Sequence, residues 1–253
     1  MAEYNVNSGD YVQHSLYSHF KDFLLKNLIN FYKAMKVTKS NNLKLLDYGC
    51  GPTITDKISA APKVSEIYLA EYMEPFRDFI QKWLDKNSTA FDWSPSFKHV
   101  VQTLEGGTEE EAEGRQDEVR SKIKAVVSCD ITKDQFIAEG FEGPYDIVQC
   151  SLCLENPCRD YDSYRGAIKK LASLLRSGGY FILYSSFHKK GDECFYIING
   201  RKFFHLALDI DFILDTLKDN KFIVITLEQF DSPPSESDTH NESGFVFISA
   251  CKE

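Results

Sequence analysis

Three short stretches of this 253-residue sequence put chemically useful side chains at the ends of apolar runs. The first, Asp47-Tyr48-Gly49-Cys50-Gly51-Pro52, closes the run begun by Lys44-Leu45-Leu46. Glycines at 49 and 51 would let a ligand lie against bare backbone, and a helix starting just after them would offer N–H groups. The second, Ile67-Tyr68-Leu69-Ala70, ends in Glu71, 20 residues beyond Gly51. An acid at that distance is placed to accept hydrogen bonds from ribose hydroxyls. In the third, Cys129-Asp130-Ile131, a carboxylate and an apolar neighbour suit the exocyclic amine and the face of an adenine. Each stretch alone has an ordinary account: a tight turn, a solvated strand end, and the N-cap of a following helix. Three successive strand ends that each carry the appropriate residue weigh for an adenosine-type ligand.

The dinucleotide fingerprint wants a third small residue where Ile54 stands, and no Gly-Lys-Ser/Thr cradle for phosphate is present. Adenosylmethionine has ribose and adenine without phosphate, and its sulfonium is cationic. A chain of net charge −9 with 13 tyrosines suits it better than a dinucleotide.

These residues need a scaffold. With 43% hydrophobic residues the chain can build one substantial core, read as a single domain over 1–253 with a helical N-terminal cap (1–40) and an acidic insertion (106–118). The insertion reads as a solvated, mobile segment or a helix start. The acidic balance argues against nucleic-acid or anionic-membrane partners. No apolar run approaches the ~18 residues of a span, and MAEYNVNSGDY has neither the basic nor the apolar region of a leader. Seven cysteines, an odd number lying mainly in apolar stretches, read as reduced thiols, so a cytoplasmic protein is expected. Helices are expected over 15–33, 76–84, 162–176 and 209–218, with Gly178-Gly179 ending the third, and a further one leads from the acidic insertion into the strand at Ala125. Strands are expected over 44–48, 67–70, 125–130, 145–150, 180–184, 222–227 and 245–250. The alternation predicts an α/β fold: a seven-stranded, mostly parallel sheet with an antiparallel last strand and helices on both faces.

The stretches DYGCGPTI, WLDKNSTAFDWSPSFKHVVQTLEG, SCDIT, YDIVQCSLCLE and LASLLRSGGYFILYSSF resemble the nicotinamide, phenylethanolamine and indolethylamine N-methyltransferase family, from about Tyr11 to Cys251. GPT after the glycines, AFDWSP at 90–95 and SLCLE at 151–155 are the most specific pieces. The resemblance implies a Rossmann-like class I methyltransferase, monomeric, with adenosylmethionine as donor and adenosylhomocysteine as product. It implies methionine-side contacts at Gly49 and Gly51, a ribose contact at Glu71, adenine contacts at Asp130 and Ile131, and a donor-side hydroxyl at Ser151. Tyr11, with Tyr17 as the alternative, matches a tyrosine that closes over the donor. Thr55 stands where the nicotinamide branch has tyrosine, and Phe76 where it has asparagine. On the acceptor side Ser185 replaces an Asp that holds the carboxamide, His205 replaces a serine, and Tyr196 matches a pocket tyrosine. Asp192 and Glu193, in a slightly lengthened segment, are the candidates for the missing carboxylate.

Methyl transfer from a sulfonium is an in-line displacement whose leaving thioether needs no proton, so positioning dominates. A pyridine nitrogen is already a neutral nucleophile, whereas an aliphatic ammonium must first lose a proton to a carboxylate, directly or through one water. Ser185 therefore fits nicotinamide or a related pyridine. A carboxylate at Asp192 or Glu193 would fit an arylethylamine. A donor-binding protein that has lost catalysis stands as a third reading. Cys150, Cys153 and Cys158 read as buried thiols rather than a metal set, six histidines form no ligand pair, and Trp83 and Trp93 read as core.

Overall fold

The computed structural model describes residues 19–35, 42–188, 194–198, 201–232 and 242–253. Its strands are β1 (Lys44–Tyr48), β2 (Glu66–Glu71), β3 (Ile123–Ser128), β4 (Tyr145–Ser151), β5 (Leu175–Phe187), β6 (Cys194–Ile198), β7 (Arg201–His205), β8 (Phe222–Asp231) and β9 (Gly244–Lys252). Its helices are α1 (His19–Ala34), α2 (Glu74–Leu84), α3 (Ser94–Lys98), α4 (Glu109–Lys122), α5 (Tyr161–Ser173) and α6 (Ile210–Asp219). Seven strands form one sheet in the order β3-β2-β1-β4-β5-β9-β8, and β6 pairs with β7 in a separate hairpin. The β2–β3, β1–β4 and β4–β5 pairs are parallel, while β9 runs antiparallel to both of its neighbours. This is the expected seven-stranded, mostly parallel sheet with a reversed last strand.

The chain divides into two compact units, the first comprising residues up to Lys44 with Cys50–Ser128, the second Leu45–Gly49 with Cys129–Glu253. In the first, α1 buries Leu24, Leu25, Leu28, Ile29 and Tyr32, the stripe of an amphipathic helix. Helix α2 packs on β2 and β3. In the second unit Ile147 to Cys150 and Phe181 to Tyr184 are buried without alternation, as central parallel strands require when both faces are covered. Helices α5 and α6 pack on β5 and β8.

Two departures from expectation have local causes, one open alternative is settled, and one element is new. The helix expected after Gly51 is replaced by two single turns, Thr55–Lys57 and Ala61–Lys63, because Pro62 lacks the N–H a continuing helix needs. Helix α5 stops at Ser173 and Leu175 already pairs with Tyr145, so Arg176 to Gly179 extend β5 instead of ending the helix. The acidic stretch takes the helical alternative. The Thr108 hydroxyl accepts from the Glu111 N–H at 3.2 Å, and the Glu111 carboxylate accepts from the Thr108 N–H at 2.8 Å. Three glutamates then suit the positive end of α4. That helix buries only Ala112 and Val119, and is held by its bases: Arg115 reaches Ile58 O at 3.0 Å and Arg120 lies 4.2 Å over Trp83. The new element is the antiparallel β6–β7 pair. Among the described residues no helix is long and apolar enough to cross a membrane.

Candidate functional site

In the first unit, the Glu71 carboxylate at the end of β2 is 6% exposed and faces the glycine turn. Its Oε2 accepts from the Gly51 N–H at 2.9 Å and its Oε1 from the Met73 N–H at 2.7 Å. Burial raises its pKa, and the opposing pull of those two N–H groups and Arg77 does not cancel the effect. Arg77 fixes the approach to α2 by donating to Glu71 O at 2.8 Å and Tyr72 O at 2.7 Å. Gly51 has φ +60°, and a Cβ there would meet nothing within 4 Å, so its backbone borders open space. Phe76 is buried in the first turn of α2, and buried Thr55 lies 3.2 Å from the Thr53 hydroxyl. Next to Thr55, buried Lys57 lies 3.4 Å from Asp56. Lys21 of α1 is buried in the same region, and burial lowers its ammonium to about 8 against the pull of Asp56.

In the second unit, Gly49 has φ +73°, and a Cβ there would lie 2.1 Å from Cys153 Sγ. The two glycines therefore serve different ends. Gly49→Ala is expected to cost ~1–2 kcal/mol of left-handed strain plus ~1–3 kcal/mol of overpacking, and Gly51→Ala only the first. Urea unfolding checks this; equal midpoints would mean that Cys153 is not held against Gly49.

Asp130 does not cap a helix. Its Oδ1 accepts from the Thr132 N–H at 3.0 Å and the Thr132 hydroxyl at 2.6 Å, and the turn is clamped by Lys170 donating to Ile131 O and Lys133 O at 2.8 Å. Ile131 is buried. Ser151 Oγ, at the end of β4, is buried with no hydrogen-bond partner, an orphan of the kind a ligand satisfies.

The three acceptor-side residues come together around a pair that sequence reasoning did not single out, Glu155 and Asn156. Leu152 adopts φ +47° and donates its N–H to Tyr184 O at 2.7 Å, turning the chain off β4 so that Glu155 returns to β5. There Ser185 Oγ donates to Glu155 Oε1 at 2.5 Å and the Ser186 N–H donates to the same atom at 3.1 Å. Burial raises the Glu155 pKa against these donors. Tyr196 OH donates to Asn156 Oδ1 at 2.9 Å, and the Leu206 N–H, next to His205, donates to Glu155 O at 2.8 Å. The Tyr196 ring lies 5.7 Å from that of His205. Burial, helped by His188, lowers the His205 imidazole to about 4. The residue type could have marked Glu155, a carboxylate in an otherwise apolar SLCLE run; its pairing with a serine 30 residues on could not be read. Tyr11, Tyr17, Asp192 and Glu193 lie outside the described residues.

A sheet with its last strand reversed, a glycine turn after β1 and an acid ending β2 define the class I methyltransferase architecture. The structure of magnesium protoporphyrin IX methyltransferase from Synechocystis PCC 6803 with bound SAM shares it, at TM-score 0.57 and 12% identity, covering 100% of each chain. A profile described as the NNMT/PNMT/TEMT family matches residues 4–253. Nicotinamide N-methyltransferase of Homo sapiens is 30% identical over 252 residues, 96% of this chain and 92% of that enzyme. Indolethylamine N-methyltransferase of Oryctolagus cuniculus is 30% identical over 210 residues, 83% of this chain and 77% of that enzyme. The chain belongs to the NNMT/PNMT/TEMT family and is an S-adenosylmethionine-dependent N-methyltransferase.

Proposed function

We propose that this enzyme methylates the ring nitrogen of nicotinamide or a related pyridine, as a monomeric single-domain protein of the cytoplasm. The orphan Ser151 hydroxyl, the open backbone at Gly51 and the buried Glu71 carboxylate fit adenosylmethionine. Glu71 would take the ribose hydroxyls, Asp130 and Ile131 the adenine, and Gly49 and Gly51 the methionine end. Thr55 and Phe76 would line the donor, with Tyr11 or Tyr17 closing over it. The donor supplies a methyl group on a sulfonium; the chain's part is to align the acceptor nitrogen and exclude water.

The observation that carries the acceptor reading is the Ser185–Glu155 hydrogen bond. A carboxylate held by Ser185 can accept from a carboxamide N–H, so the anchoring role moves from residue 185 to residue 155. Tyr196 and His205 supply aromatic walls, and His205 stays neutral at physiological pH, so it adds no positive charge beside a sulfonium. The same carboxylate favours a second reading, an arylethylamine whose ammonium Glu155 would deprotonate. Asp192 and Glu193 remain proposals for that role.

Incubation with labelled donor and a panel of pyridines and arylethylamines tests both. A pyridine is expected to turn over at a rate nearly level between pH 7 and 9. A rate that climbs with deprotonation of an amine would move the assignment to the arylethylamines, and no methylated product from any acceptor would remove the catalytic reading.

A further inference from the structure

The turn that carries Glu155 to β5 also brings together two cysteines, in the spacing Cys150-Ser151-Leu152-Cys153. All seven cysteines stand outside any disulfide. Cys150 is buried on β4, Cys153 is half-buried, and their side chains hydrogen-bond to each other. The left-handed backbone of Leu152 folds Cys153 back, and its sulfur fills the space beside Gly49 that a Cβ would need. Tyr48 lies in the same cluster: its phenol donates to Phe136 O at 2.6 Å and interacts with Cys129, Cys150 and Cys153. The dithiol thus brackets Ser151, with one sulfur against the glycine turn.

We propose that Cys150 and Cys153 are a redox modification site, closing to a disulfide that pulls Cys153 away from Gly49 and weakens binding of the methyl donor. The effect on the donor rests on the assignment of Gly49 and Ser151 as donor contacts; the disulfide itself does not. The oxidant is a peroxide. Half-buried Cys153 attacks the O–O bond as thiolate, giving a sulfenic acid and releasing water or alcohol. The Cys150 sulfur then attacks that sulfur, forming the S–S bond and expelling water, so the two thiols together lose two protons and two electrons to the peroxide. Closure needs the two Cβ atoms about 3.5–4.5 Å apart, and a disulfide ring over residues 150–153 constrains Ser151 and Leu152 directly. Cys150 is suited to the second step. Its hydrogen bond to Cys153 pulls the thiol pKa down, but burial with Glu155, Asp47 and Cys129 holds it above the ordinary range, so it is not the first thiol oxidised. Burial pushes Cys158 up to about 12, which sets it apart from the pair.

The test uses the full chain reduced with dithiothreitol, then treated with diamide, a diazene that takes the two hydrogens without adding oxygen. Digestion with trypsin and a glutamate-specific protease leaves Cys150 and Cys153 on one peptide, 143–155, without Cys158. That peptide is expected to lose two hydrogens, and calorimetry with adenosylmethionine to show affinity falling at least tenfold, restored by dithiothreitol. Cys150→Ser and, should that fold poorly, Cys150→Ala are expected to keep the reduced protein's affinity after diamide. A disulfide mapped to Cys129 or Cys158, no disulfide, or a mapped Cys150–Cys153 bond with unchanged affinity would each overturn the proposal. Failure of the reduced protein to bind donor would instead overturn the donor-site assignment, which the peptide mass does not touch.

Discussion

Glu71→Ala is expected to weaken adenosylmethionine binding about 10²–10⁴-fold, since hydrogen bonds to a charged group contribute ~1.5–3 kcal/mol each and the ribose offers two hydroxyls. The variant also strips acceptors from the Gly51 and Met73 N–H groups, so the turn itself loosens. Glu71→Gln separates the two effects: one oxygen remains as acceptor, and an amide N–H2 faces whichever backbone N–H the other oxygen served, so a smaller loss is expected. Calorimetry measures both, with thermal melts to show that the fold is intact. An affinity within threefold of wild type in Glu71→Ala would end the ribose assignment. The pH dependence has two opposite signs. Burial raises the Glu71 pKa, so the folded apoprotein binds this proton more tightly than the unfolded chain. Its contribution to stability is therefore present below the unfolded carboxyl's pKa and lost as pH rises through the folded one. Donor affinity runs the other way, because the ribose hydroxyls need the carboxylate, and falls on acidification from a pH above the ordinary carboxylate range.

The strand ends that carry the proposed donor contacts were legible because their logic is local: a strand end is marked by where an apolar run stops, and Gly51, Glu71 and Asp130 sit at such stops. The sheet was legible for the same reason, since buried parallel strands read as unbroken apolar runs. Helix α4 could be read only as one of two alternatives because Arg115 and Arg120 hold it through a carbonyl and an aromatic face, which leave no apolar period in EEEAEGRQDEVRSK. The β6–β7 hairpin did carry a signal, Asn199-Gly200 between FYII and RKFF, the dipeptide most characteristic of tight hairpins. The acceptor half was hidden for a physical reason. Asp192 and Glu193 are the carboxylates nearest Ser185 along the chain, whereas the carboxylate bonded to Ser185 comes from the exit of the neighbouring strand β4. A left-handed Leu152 and a hydrogen bond 30 residues long put it there, and a β-branched or long side chain at positive φ is not foreseeable from spacing.

Glu155→Gln is the substitution that decides what the acceptor half does. A glutamine oxygen can still accept from Ser185 Oγ and the Ser186 N–H, so the turn after β4 keeps its anchor and only the charge is lost. Glu155→Ala would instead leave the buried Ser186 N–H without an acceptor, at about 1–3 kcal/mol, and Ser185 Oγ with only the Ser186 carbonyl at 3.1 Å, and so confuse folding with function. If the carboxylate anchors a neutral carboxamide, KM for the pyridine rises about 10–100-fold, the worth of one charge-assisted hydrogen bond, while kcat and the flat pH profile are kept. If it removes a proton from an ammonium, kcat/KM for the amine falls about 10²–10⁴-fold, and the deficit shrinks as pH rises and the amine deprotonates unaided. Donor affinity is expected to stay at the wild-type value in both cases, because the Glu155 carboxylate is held by Ser185 and the Ser186 N–H on β5, and a glutamine oxygen keeps both bonds. A variant with unaltered KM, kcat and pH profile but a lower melting temperature would make Glu155 a structural anchor for β5, and would return the missing carboxylate to Asp192 and Glu193.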